Sequence, residues 1–168
     1  MDLLDREALL TRERRGNIQS VMWPAVIRRW TEDYSFMDSN RVSTYLEPRG
    51  LSELLKKLQT FSRPYSVTGS LAASQVAPVA SPRLAAVYVE NAKSAADELR
   101  LRPTEAGANV ALAEPLDRVA FERTRGRSGI SYAALSQVAA DLLTSPGRGP
   151  AEGEELIAWM EKTERDWR

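Results

Sequence analysis

The sequence predicts an α/β fold, in its finer form α+β: a mixed sheet with helices at both ends of the chain. Three observations carry this. Leu84 to Val89 is an apolar run of the kind buried on both faces of a sheet. Tyr65 to Thr68 is a second strand, joined to the first through Gly69-Ser70 and a helix of small residues. Leu135 to Leu143 and the segment opening at Pro150 carry helical apolar spacing at the C-terminal end.

Taken in order, Leu3 to Leu10 reads as a short helix. A charged turn, Arg12-Glu13-Arg14-Arg15-Gly16, joins it to a strand over Asn17 to Val21. Pro24 suits the first turn of a helix. Trp23, Val26, Ile27, Trp30 and Tyr34 then recur on one face, with Arg28, Arg29, Glu32 and Asp33 mainly on the other. The aromatic stripe reads as core. Val42 to Leu46 is a short extended piece, and Pro48-Arg49-Gly50 a turn. Leu51 to Phe61 is a second amphipathic helix, closed by Ser62-Arg63-Pro64 because proline cannot continue it.

Beyond Tyr65 the pattern alternates strand and helix. Ser70 to Val76 is a helix able to pack closely on a sheet. Asn91 or Ser94 caps a helix running to Leu99. Asn109 to Ala113 and Arg118 to Phe121 read as strands joined by the turn Glu114 to Asp117. Thr124 to Gly129 is a basic, glycine-containing loop, and Ile130 to Ala133 a last short strand. Ser145 to Pro150 breaks the final helical pair. The division is into a helical region over 1–64 and an α/β domain over 65–168.

With 168 residues the chain can bury roughly 70% of its unfolded surface, so no disulfide or metal staple is needed. It contains neither Cys nor His, which removes thiol nucleophiles, imidazole bases and zinc sites built on those ligands. Lys plus Arg and Asp plus Glu are 23 each, so no global field drives binding to nucleic acid or membrane. No apolar run approaches the ~20 residues of a membrane span, and the acidic N-terminus is not a secretory signal. The expectation is a soluble cytoplasmic protein.

The order strand, Gly-Ser, helix, strand is how nucleotidyltransferase-type folds begin. Those enzymes hold magnesium with paired acids on the second strand. Here that strand reads Leu84-Ala85-Ala86-Val87-Tyr88-Val89, and the first carboxylate is Glu90. No Asp-x-Asp, no phosphate-binding GxxxxGK[ST] loop and no Ser-x-x-Lys occurs. The frame therefore points to binding rather than catalysis, with no catalytic, cofactor or metal residue assigned. Gly69 and Ser70, with Arg83, Arg125 and Arg127, are the candidate phosphate or partner contacts. Gly69-Ser70 reads first as a tight strand-to-helix turn with Ser70 as N-cap. Asp141, four residues after Gln137 on a largely apolar helix, needs a partner if buried. Arg148 and the backbone of the 145–150 turn are the candidates, as a latch between the last two helices.

The runs YSVTGSLAA, APVASPRLAAVYVENA, LRLRPTEAGANVALAEPLDRVAFERT and SQVAADLLTSPGRGPAEGEELIAWM, with VMWPAVIRRWTEDYSF and NRVSTYLEPRG before them, resemble a group of actinobacterial proteins. These are winged-helix transcriptional regulators, or antitoxins like AbiEi of type IV toxin–antitoxin systems. The resemblance implies an N-terminal winged helix-turn-helix before an α/β domain. The chain's first residues match the last helix and wing of that module, LLDREALLTRERRG and IQSVMWP. Its helix-turn-helix is expected upstream of Met1 and is missing here. Arg12, Arg14 and Arg15 match wing positions, which contact phosphates rather than bases. With Arg28 and Arg29 they are the candidate DNA-binding residues.

The expected function is non-enzymatic: an antitoxin-like protein or transcriptional regulator. It binds a protein partner, a toxin or a second copy of itself, and DNA through its basic N-terminal region, with no cofactor. The alternatives are a nucleotidyltransferase using Glu90, Asp97 and Asp117, and a dimerisation domain without a ligand.

Overall fold

The computed structural model describes residues 2–14 and 16–167. Helix α1 (Asp2–Arg6) leads into a hairpin of β1 (Leu10–Arg12) and β2 (Ile18–Val21), a separate two-stranded sheet. The helix stops earlier than its apolar residues suggest. Ala8 adopts φ 54°, and Leu9 and Leu10 turn inward and are buried. Helix α2 (Trp23–Trp30) follows with Pro24 in its first turn, and the residues to Tyr34 continue as turns.

The remaining strands form one mixed sheet. In chain order the elements are β3 (Asn40–Leu46), α3 (Leu51–Gln59), β4 (Tyr65–Thr68), α4 (Gly69–Ala73), β5 (Ala85–Val89), α5 (Ala92–Glu98), β6 (Arg102–Pro103) and β7 (Val110–Pro115). A 3₁₀ turn (Arg118–Phe121), β8 (Arg125–Arg127), β9 (Ile130–Tyr132), α6 (Leu135–Leu143), α7 (Gly149–Lys162) and α8 (Glu164–Trp167) complete the chain. The strand order is β6-β3-β7-β5-β4-β9-β8. β5 runs parallel to β7 and β4 parallel to β9, and the other pairs are antiparallel. The strand, Gly-Ser, helix, strand order is thus present as β4, α4 and β5. β3 and α3, which precede residue 65, belong to this sheet and its core.

Two segments differ from their sequence reading. Arg118 to Phe121 is a 3₁₀ turn, because the Asp117 carboxylate accepts the Val119 N–H at 3.1 Å and caps it. The Ala120 carbonyl is then held by the Ser66 hydroxyl at 2.6 Å. Thr124 to Gly129 is not simply a loop, since Arg125 to Arg127 pairs with β9 and forms an edge of the sheet. Gly129, at φ 75°, makes the turn between them.

Sheet register sorts the side chains. Val67 pairs with Val87, which pairs with Leu112, so all three point to one face. They join Leu54 and Leu58 of α3 and Ala95 and Ala96 of α5 in the larger core. The other face carries Thr68, Ala86 and Ala111 in one row and Ser66, Tyr88 and Ala113 in the next. α6 lies over this second face. It is followed so closely by α7 that a Cβ at Gly149 would sit 2.6 Å from the Leu142 carbonyl oxygen, so only glycine fits. Asn91 caps α5, accepting the Ser94 N–H at 2.8 Å. Trp167 closes the C-terminal end edge-on to Trp23, ring centroids 5.0 Å apart, and donates its indole N–H to the Met160 carbonyl at 2.7 Å.

Glu47, at the end of β3, is 1% exposed. The Lys57 ammonium of α3 donates to its carboxylate and, at 2.7 Å, to the Leu99 carbonyl after α5. Asn109 brackets the Glu47 backbone, accepting its N–H at 2.7 Å and donating to its carbonyl at 2.9 Å. The Glu47–Lys57 pair ties β3 to α3 and α5, and Asn109 ties the Glu47 backbone to the start of β7. Lys57→Met strands a buried carboxylate, and urea unfolding is expected to show a loss of about 3–5 kcal/mol. Adding Glu47→Gln to that variant is expected to restore part of it.

Candidate functional site

The face bearing Ala86 and Ala111 is not fully covered. Between it and the α6–α7 turn lies a cavity of about 380 Å³, within the roughly 300–1,000 Å³ typical of ligand pockets. Its floor is Val42 and Thr44 of β3, Ala111 of β7 and Ala86 of β5, with Gly69 and Ser70 at one side. Gly69 has φ 64°. A residue with a side chain is strained there, so the abrupt change from β4 to α4 that places Ser70 in the cavity wall depends on glycine. Phe36, Met37, Leu84 and Leu142 supply apolar walls. Arg83, Arg148 and Glu152 supply the charges.

On β5, the second strand of that order, the residues on this face are Ala86 and Tyr88, neither of them acidic. Among the described residues no three acidic side chains form a metal-holding group. Glu90 pairs with Arg118 at 3.3 Å, Asp97 is exposed on α5, and Asp117 caps the 3₁₀ turn. The three do not converge.

Asp141 of α6 sits against the same face and is 1% exposed. Its Oδ1 accepts hydrogen bonds from Tyr34 Oη at 2.6 Å, Tyr88 Oη at 2.8 Å and Gln137 Nε2 at 2.9 Å. Its Oδ2 accepts the Thr68 hydroxyl. Asn40 Nδ2 donates to Tyr34 Oη at 3.2 Å. The latch through Arg148 and the 145–150 backbone is therefore corrected. Asp141 joins α6 to β4, β5 and the segment after α2, while Arg148 lies 3.8 Å from Glu152. Burial pushes the Asp141 carboxyl above its ordinary range, against the pull of its four donors. Burial, then the charge of Asp141, pushes the Tyr34 and Tyr88 hydroxyls up as well.

The basic residues divide into held and open groups. Arg12 donates to both Asp5 oxygens at 2.8 and 2.7 Å and to the Gly16 carbonyl, which holds the Asp5 carboxyl below its usual range. Arg28 pairs with Glu154 at 2.6 Å. Arg29 is gripped by Glu7 at 2.7 Å and Asp33 at 2.7 Å. Hydrogen bonds to these acids push both guanidinium groups further up. Arg14 is exposed, and Arg15 lies outside the described residues. Arg83 is exposed on the cavity rim. Arg125 and Arg127 lie apart from it on β8. Arg127 donates to the Gln75 carbonyl, while the buried Arg125 Nε has no hydrogen-bond partner among the described residues. Burial, then the charge of Arg127, lowers the Arg125 guanidinium from its usual value.

The structure thus brings together Gly69, Ser70 and Arg83 from the sequence reading and separates them from Arg125 and Arg127. It adds Phe36, Met37, Arg148 and Glu152 to the cavity. In the sequence, Glu152 is an acidic residue in a helix first turn and Phe36 an aromatic in a connector, and neither pattern signals a shared cavity. No family model, no curated protein and no solved structure matches this chain. Among the described residues no helix is long and apolar enough to cross a membrane.

Asp141→Ala leaves several buried donors without an acceptor and is expected to lower stability by about 3–5 kcal/mol in denaturant titration. Asp141→Asn keeps an acceptor and is expected to cost about 1 kcal/mol. Because the native carboxyl is raised above its unfolded value, it stabilises the fold most at low pH. That contribution fades as pH climbs from about 4 toward the native value. The stability of the natural chain relative to Asp141→Asn is therefore expected to fall over that window, read as paired melting temperatures.

Proposed function

We propose that this chain is a non-enzymatic regulatory protein of the cytoplasm, of the antitoxin-like or transcriptional-regulator kind that the sequence resembles. Its α/β part binds a protein partner, a toxin or a second copy of the chain, and its N-terminal hairpin touches DNA. The observation that carries this reading is the cavity floor beside Gly69-Ser70. β5, where a metal-dependent transferase carries its paired acids, puts Ala86 and Tyr88 on this face, and the floor is completed by Ala111 and Thr44; neutral side chains cannot gather a divalent ion. Beside that floor the cavity retains the shape and polar rim of a binding site.

The DNA contact in this reading is weak and non-specific. Arg12, Arg28 and Arg29 are already paired with carboxylates, and a released arginine must give up those bonds to reach a phosphate. In a mobility-shift assay the chain is expected to retard any duplex at low salt and to release it as salt rises to physiological strength. Tight binding that survives that salt and depends on sequence would contradict the hairpin's assigned part.

The rival reading is a nucleotidyltransferase using Glu90, Asp97 and Asp117. The expected result with labelled nucleoside triphosphates and magnesium is no turnover. Turnover that disappears in Glu90→Ala would establish the rival instead.

A further inference from the structure

Glu152 is the side chain in the cavity whose bonding is incomplete. It lies in the first turns of α7, its side chain is 7% exposed, and it lines the cavity beside Arg148. Among the described residues its carboxylate accepts no hydrogen bond, and its ion pair with Arg148 is long, at 3.8 Å. The other buried acids among the described residues are served: Asp141 by four donors, and Glu47 by Lys57 and the Arg49 N–H. The Glu152 oxygens keep access to the cavity, since among the described residues the fully buried side-chain polar atom without a partner is Arg125 Nε, so a ligand that displaces cavity water must replace that water's hydrogen bonds. The Glu152 carboxylate faces a space large enough for a small molecule that brings the donor with it.

The surroundings define that molecule. Beside Glu152 stands Arg148, and Arg83 stands on the rim with no ion pair among the described residues, so an anionic group can be met close to the donor. The floor is built of the short side chains of Ala86, Ala111, Val42 and Thr44, and Phe36, Met37 and Leu84 wall it. Such a surface takes an apolar body. We infer that the cavity binds a small zwitterion of the α-amino-acid class with a large apolar side chain. The ammonium donates to Glu152, the carboxylate takes Arg148 or Arg83, and the side chain lies over the alanine floor. An α-amino acid carries its two charges on neighbouring atoms of one carbon, which suits an acid and a guanidinium that already approach each other. A nucleotide would load two or more negative charges against Glu152, and a plain hydrophobic anion would leave Glu152 without a donor.

The inference rests on the regulatory reading only for the ligand's role as an effector. Binding itself is measured on the free chain, so either idea can fail alone. The probes are L-phenylalanine, L-leucine and L-tryptophan, titrated calorimetrically into the full chain. 3-Phenylpropionate lacks the ammonium, 2-phenylethylamine lacks the carboxylate, and adenosine monophosphate serves as the nucleotide. At least one amino acid is expected to bind saturably. For phenylalanine, each truncated analogue is expected to be weaker by about tenfold, the weight of one charge-assisted hydrogen bond. Glu152→Gln is expected to weaken the amino acid by a similar factor while leaving phenylpropionate unchanged. Arg83→Ala, an exposed change that spares the fold, combined with Arg148→Ala, is expected to weaken the amino acid and phenylpropionate alike. A melting curve confirms that each variant is folded. The inference is overturned if no amino acid binds at millimolar concentration, or if phenylalanine and phenylpropionate bind equally. It also fails if the variants bind as the natural chain does, or if adenosine monophosphate binds and the amino acids do not.

Discussion

A carboxylate held away from water by four side-chain donors organises this molecule. Asp141 belongs to α6, yet its oxygens are served from β4 by Thr68, from β5 by Tyr88, from beyond α2 by Tyr34 and from its own helix by Gln137. Desolvation opposes charge there, and the donors oppose desolvation. That balance holds only while helix, sheet and connector keep their relative positions. The network therefore fixes the height of α6 above the sheet, and with it the space left open between the sheet and the α6–α7 turn.

That space follows from side-chain size. Ala86, Ala111 and Thr44 occupy three neighbouring strands in register, and α6, held to the sheet through Asp141 and Tyr88, borders the space above them with Leu142. Tyr88 is long enough to meet α6, and its neighbour across the strand pair, Ala113, packs with Phe36 in a small second core. Two residues away along β5, Ala86 is too short to do so. A cavity forms where the row of small residues begins, and Gly69 turns the chain so that Ser70 borders it. Glu152 and Arg148 close it from above because Gly149 lets α7 start almost in contact with Leu142.

The arginines follow a related logic at the surface. Three of the N-terminal ones are held by Asp5 of α1, by Glu7 and Asp33 just after α1 and α2, and by Glu154 of α7, which fastens the hairpin and α2 to the rest of the chain and spends charge that a phosphate would otherwise meet. Surface pairs of this kind contribute little to stability, but they set which guanidinium groups face solvent without a counter-charge. Arg83 on the cavity rim is exposed and has no ion pair among the described residues.

Much of the fold was legible locally. The apolar run through Val89, the small-residue helix after Gly69-Ser70 and the two C-terminal helices rest on short-range spacing, and the sequence by itself determined them; it offered Asn91 or Ser94 as the α5 cap, and the fold chose Asn91. The sequence also determined that no thiol, imidazole or paired acid is present for catalysis on the second strand. The 3₁₀ turn at Arg118 and the edge strand at Arg125 were not legible, because a side-chain cap and a pairing partner decided them over the apolar pattern. Asp141 announced a need for partners but not their identity. Thr68, Tyr88 and Tyr34 lie 73, 53 and 107 residues from it, and hydrogen bonds across such separations leave no spacing to read. The cavity, and the gathering of Arg148 and Glu152 with Arg83 around it, belong wholly to the tertiary structure, since an unfilled volume is a property of how elements stack and of no single stretch of chain.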